Sequence, residues 1–288
     1  MRRKQKREKK EFNLLIIAIL FILGGVIIFA YPNISNYLAE KNHVEAIRTY
    51  HEVVSNLSEE TIDEEFKTAQ IYNENLAGDP VHDPFVEGSG YALPSNYVEA
   101  LNVSNDGVMA SIEIPKIKVN LPIYHGTSEE TLTKGVGHIQ STSLPIGGIS
   151  THSVLTGHTG LPSAELFTKL DKLSENDIFY IHVLNKTLTY KVYEIKIILP
   201  EEIDELRITE GKDLVTLVTC TPYGVNTHRL LVKAEQVEYE PYSYENQEPH
   251  VNLGETVKRN YFSIGIIIGG IILLVIFAVI LLKKIMHH

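Results

Sequence analysis

Asp213-Leu-Val-Thr-Leu-Val-Thr-Cys220 is followed, nine residues after its cysteine, by Arg229-Leu-Leu-Val-Lys-Ala234. Both runs are short, rich in β-branched and aliphatic residues, and separated by turn-forming Pro222, Gly224 and Asn226, so they read as strands. Cys220 is the only cysteine in the chain. A lone thiol cannot be half of an internal disulfide, so it is either buried filler or a reactive group. At the end of a strand a side chain is held rigidly at a surface. An arginine opening the next strand could stabilise negative charge beside it. Cys220 and Arg229 are therefore the first candidates for chemistry.

Outward from this pair the texture is β-rich from Val108 onward. Further strands are expected at Ala110–Ile114, Val119–Tyr124, His152–Thr156, Asp177–Leu184 and Thr187–Ile198, with the opening pair at Leu214–Cys220 and Arg229–Tyr239. Asn185-Lys186 reads as a hairpin break, and short helices are expected at Ser128–Thr133 and Ser163–Leu170. Seven or eight strands with few helices imply a mainly β domain over 108–240, a closed barrel or a sandwich. Before it, Ala39 to about Ala77 has apolar residues at helical spacing, among them Val44, Ile47, Tyr50, Val54 and Leu57, and Thr61 with Glu64 reads as the N-cap of a second helix. The helical region is assigned to 32–77. The stretch 78–107 is dense in Gly and Pro, including Asp83-Pro84-Phe85, and reads as a loop that is functional or disordered.

Two apolar stretches frame the chain. As helices, Phe262–Leu282 would span roughly 31 Å, enough to cross a bilayer, and Leu14–Tyr31 about 27 Å, near the lower limit. The exit of the first lacks a small-residue cleavage site, so an uncleaved anchor over 13–31 is expected instead of a removed signal peptide. Arg2-Arg3 sits in a leader that is basic throughout and is not read as a twin-arginine signal. The basic segment 1–12 carries seven Lys/Arg, and Lys283 and Lys284 follow the second span over 261–282, so both termini (1–12 and 283–288) read as cytoplasmic and the middle as outside. Without the nine basic and two acidic residues of these ends, 17 basic and 34 acidic residues remain. That excess argues against nucleic acid or an anionic lipid surface as partner of the outer part. The polar segment 241–260 reads as a linker.

A thiol needs an imidazole or cationic neighbour to act as a nucleophile. Twelve histidines are present, so context must choose among them. His158 follows the strand His152-Ser-Val-Leu-Thr156 and lies between Gly157 and Gly160, where the backbone can turn sharply and leave the ring accessible. An ordinary turn histidine would look the same, as would a surface arginine at Arg229. His138, His152 and His228 read as structural or supporting residues, and His125 as a turn residue. No His/Asp spacing makes a convincing metal set, a lone cysteine excludes a thiolate zinc cage, and His287-His288 is too short to argue for one. No cofactor or metal is expected.

Taken together these segments resemble a family. Thr216-Leu-Val-Thr-Cys220 fits the TLxTC signature of sortases, the membrane-anchored cysteine transpeptidases of Gram-positive bacteria. Leu155-Thr-Gly-His158, Asn226-Thr-His-Arg229, Ile112-Glu-Ile-Pro-Lys116 and Leu121-Pro-Ile-Tyr-His-Gly126 extend the resemblance across roughly Val108 to Glu240. It implies a closed sortase-type β-barrel, with Cys220 as nucleophile, His158 as general acid and base, and Arg229 holding the substrate carbonyl and oxyanion. Asp83-Pro84-Phe85 and the second apolar stretch are similar to features of class C, the pilin-polymerising sortases. There they imply a lid in which Asp83 pairs with Arg229 and Phe85 covers Cys220. The implied partners are pilin subunits with LPXTG-like sorting signals and acceptor lysines. The alternatives are a housekeeping-type sortase using a cell-wall precursor amine, and a non-enzymatic, membrane-held β-domain receptor or scaffold with an unreactive Cys220.

Overall fold

The computed structural model describes residues 2–76, 97–238 and 269–270. The chain divides into two units, Met1–Leu38 with Glu248–His288, and Ala39–Gln247. In the first, helix α1 (Arg2–Ser55) carries the N-terminal apolar run. Phe21, Ile28 and Phe29 on it are each at least 76% exposed, a surface suited to lipid and not to water. Among the described residues it is the one helix long and apolar enough to cross a membrane. The expected C-terminal span lies outside the described residues apart from Gly269 and Gly270.

In the second unit, residues 39–55 of α1 and helix α2 (Glu59–Asn75) precede the barrel. The N-cap of α2 is Ser58, not Thr61: the Ser58 hydroxyl accepts the backbone N–H of Thr61 at 3.1 Å. Both residue types suit a cap, but Glu59 and Glu60 already continue the helix from Ser58, where acidic side chains favour the first turn. Tyr50 fixes α1 to the sheet. Its buried hydroxyl donates to Met109 O at 2.9 Å and accepts from Leu184 N at 2.8 Å, two bonds of about 0.5–1.5 kcal/mol each.

Eight strands follow: β1 (Val108–Ile114), β2 (Val119–His125), β3 (Val136–His138), β4 (Thr151–Thr156), β5 (Ile178–Val183), β6 (Lys186–Ile198), β7 (Asp213–Thr221) and β8 (His228–Val237). They form a closed barrel in the order β1-β2-β3-β4-β7-β8-β6-β5, sealed by the antiparallel β1–β5 pair with Ile112 opposite Ile181. The barrel core takes Val215, Leu217, Leu230 and Val232 from β7 and β8. Because side chains alternate, Val218 and Leu231 face the other way. They join Ile139, Val154, Ile198 and Leu206 in a second apolar cluster outside the barrel. Leu206 comes from the β6–β7 connection, which therefore lies over the outer face of β4, β7 and β8 near their ends.

One strand was missed and one expected helix does not form. β3 was not legible, because three residues carry no period. Gly137 within it is required by close packing: an added Cβ would meet Gly126 O at 2.5 Å. Helix α3 (Glu129–Lys134) forms with Ser128 as its cap, but Ser163–Leu170 is a series of turns. There Leu166 sits at φ +37, and Phe167 N–H bonds to His158 O at 3.1 Å instead of continuing a helix. The described end of the loop-like stretch, 97–107, is turns and bends as expected, and packing holds it in place. Tyr97 is 1% exposed, its hydroxyl accepting from Gly126 N at 2.8 Å and lying 2.9 Å from His138 Nδ1.

Candidate active site

β7 and β8 are antiparallel, and their register places Cys220 directly opposite Arg229. Residues directly opposite share a face with Cβ atoms about 4.5–5.5 Å apart. By the alternation along β7 that face is the outer one, continuous with Val218, Leu231 and their apolar cluster. Cys220 is partly exposed, whereas Arg229 is only 7% exposed. The guanidinium Nη1 donates to the carbonyls of Asn226 and His228, both at 3.2 Å. These bonds turn the fork back onto the β7–β8 connection and hold it there.

His158 reaches the same level from the other side. β4 runs parallel to β7, with Thr156 paired to Val218. Two bonds carry the register one residue past the strand. Gly157 N–H donates to Val218 O at 3.2 Å, and the buried Thr219 hydroxyl donates to Gly157 O at 2.7 Å. The next residue on each chain is His158 and Cys220. Neighbouring strands lie about 4.8 Å apart, so the backbone at His158, Cys220 and Arg229 comes to one end of the barrel, from the turn after β4 and from β7 and β8. Gly157 is needed at this bend, since an added Cβ would stand 2.9 Å from Phe167 Cδ2. Burial holds the His158 imidazole below its ordinary pKa, while the Glu129 carboxylate works in the opposite direction.

The supporting histidines have separate places. His138 is fully buried, its Nε2–H donating to Ser143 O at 2.8 Å, and burial lowers its pKa to about 3. His152 donates from Nδ1 to Arg207 O at 2.8 Å and lies with Nε2 2.7 Å from the Thr216 hydroxyl, and burial lowers its pKa to about 4. His152 thus ties β4 to β7 and to the β6–β7 connection. His228 is opposite Thr221 on the strand pair, and its Nδ1 is 2.9 Å from Thr227 Oγ1. His125, at the end of β2, has Nδ1 3.0 Å from Gly107 O and Nε2 2.7 Å from Ala100 O, which ties the preceding turns to the barrel.

Asp83, Pro84 and Phe85 lie outside the described residues. Thr219 and Phe167, which shape the His158 turn, were missed by sequence reasoning. Thr219 stood in plain view next to Cys220, but its role depends on a partner 62 residues away. A cavity of ≈ 840 Å³ is lined by Lys186, Gln236 and residues around Ile149. These belong to the beginnings of β4 and β6 and the end of β8, so this cavity is at the opposite rim from Cys220.

The chain matches the sortase domain family model over residues 112–237. Among solved structures, sortase C-1 of Actinomyces oris is 54% identical, with 62% of this chain and 99% of that chain covered and a TM-score of 0.58. Sortase C of Streptococcus pneumoniae, described with regard to catalysis and pilin substrate specificity, is 41% identical over 68% of this chain and 97% of its own, with a TM-score of 0.63. Among curated proteins, sortase A of Streptococcus agalactiae is 26% identical over 224 residues, 77% of this chain and 83% of the relative.

Proposed function

The chain belongs to the sortase family of cysteine transpeptidases, and from that premise we propose that it is a class C enzyme joining pilin subunits to one another. The observation that supports this reading is the strand register: Cys220 on β7 is opposite Arg229 on β8, and β4, which ends two residues before His158, pairs its Thr156 with Val218 of β7. Identity of 54% to a sortase C, against 26% to a sortase A, favours class C over the housekeeping type.

In this reading the Cys220 thiolate attacks the carbonyl carbon of the Thr–Gly bond in an LPXTG-like sorting signal. Arg229 donates to the carbonyl oxygen as it becomes an oxyanion. When the C–N bond breaks, imidazolium His158 gives its proton to the departing glycine amine, leaving a thioacyl enzyme and a neutral ring. A lysine amine of a second pilin then attacks the thioester. His158 takes the proton it loses, Cys220 leaves as thiolate, and an isopeptide bond remains. The low pKa of His158 suits the second half, where a neutral base is wanted.

The same reading assigns Asp83 and Phe85 to a lid over Arg229 and Cys220. It places the enzyme in the cell membrane with the barrel outside and both termini cytoplasmic, supported by the apolar stretch of α1 and the charge of the ends. The test is incubation of the enzyme with pilins, followed by mass spectrometry of the products. Pilin–pilin isopeptides are expected, and none with Cys220→Ala. Conjugates to a cell-wall precursor amine in their place would favour the housekeeping type. Full activity of Cys220→Ala would remove the nucleophile assignment.

A further inference from the structure

The turn that carries His158 is pinned at both ends. Gly157 is bonded to Val218 O and Thr219 Oγ1 and rests on the Phe167 ring, while Gly160 N–H donates to Thr168 Oγ1 at 3.0 Å. One more contact comes from the far side of the nucleophile. Tyr223, three residues after Cys220 in the β7–β8 connection, lays its ring on Gly160. An added Cβ at Gly160 would stand 3.1 Å from Tyr223 Cε2 and 3.3 Å from Cζ. Gly160 also sits at φ +71, so glycine is favoured there twice over, by conformation and by the ring above it.

Tyr223 is 69% exposed. An aromatic residue left this open adds little to the core. What the ring does is join two loops that the chain leaves separate, the one after the nucleophile and the one bearing the imidazole. We propose that Tyr223 is a positioning residue: its ring clamps Gly160 and so fixes where His158 stands relative to Cys220. This inference rests on the reading of Cys220 and His158 as nucleophile and acid–base group. A misplacement of about 1 Å at such a group can cost on the order of a hundredfold in rate.

The test uses the full-length chain in detergent micelles and a fluorogenic peptide containing an LPXTG sequence, with kcat and KM measured separately. Tyr223→Ala is expected to lower kcat by about ten- to a hundredfold with KM nearly unchanged, since the interaction lost acts on the enzyme's own group. Tyr223→Phe should behave as the parent, because the contact is made by ring carbons. Tyr223→Leu, which keeps apolar bulk without the flat ring, should behave like the alanine variant. Gly160→Ala should lower kcat as well, through strain at φ +71 and through the displaced ring. An unchanged kcat in Tyr223→Ala, or a loss seen only in KM, would overturn the proposal. Cys220→Ala is run beside them. Activity remaining there removes the catalytic reading itself, whereas a dead Cys220→Ala with a full-rate Tyr223→Ala removes only the clamp.

Discussion

Acid should loosen the barrel by protonating two histidines that it holds neutral. His138 and His152 are 0% and 1% exposed, and burial puts their pKa values at about 3 and about 4. In the unfolded chain each returns to about 6.5. Above that pH neither state binds the extra proton, and the pair costs nothing. As pH falls below it, the unfolded chain takes up a proton at each site and the folded chain does not, so stability drops until the folded pKa is reached. At pH 5 the loss is about 2 kcal/mol for each histidine, or about 4 kcal/mol for the two together. Urea unfolding of the full-length chain in micelles, followed by near-ultraviolet circular dichroism of its 15 tyrosines, measures this; there is no tryptophan to report by fluorescence. Replacing His152 by Gln lowers stability at every pH through its lost bonds to Arg207 and Thr216, so the slope is the diagnostic quantity. Between pH 6 and pH 5 the variant's stability should fall less steeply than the parent's, by roughly 1.2 kcal/mol per pH unit. Parallel slopes in parent and variant would refute the assignment of a buried neutral ring at this position.

Thr219→Val removes the donor to the buried Gly157 carbonyl and should destabilise the protein by about 1–3 kcal/mol, with slower acylation by the peptide substrate; equal urea midpoints and rates would show that the bond is dispensable. Arg229→Lys keeps a positive charge but loses the planar fork that reaches the Asn226 and His228 carbonyls, so kcat/KM should fall on the order of a hundredfold, a loss that a peptide-cleavage assay reads directly. In Asp83→Ala, a thiol reagent should acylate Cys220 faster than in the parent if Asp83 and Arg229 hold a lid shut, and equal rates would end that role.

Strand positions were legible in the sequence where alternation ran for several residues, as in β6, or where an apolar, β-branched run was long enough, as in β7. The three-residue β3 and the closure of β1 onto β5 were not, because neither leaves a local period. The site was legible only through its motifs. Nothing in the spacing of His158 and Cys220 announces that they stand level, since that depends on parallel pairing of segments 62 residues apart. The structure gives the threonines of Thr216-Leu-Val-Thr-Cys220 a physical reason. A slip of one residue between β4 and β7 would turn His158 away from the sulfur and reverse the faces of Val154 and Val218. Thr216 meets His152 on the outer face, and Thr219 bonds Gly157 O on the inner one. Because residues on opposite faces of one strand are pinned to the same neighbour, a slip would break both bonds at once. The phase of Cys220 against the backbone leading to His158 is therefore fixed by the strand pair, which leaves only the turn beyond Gly157 to be held by its loop contacts.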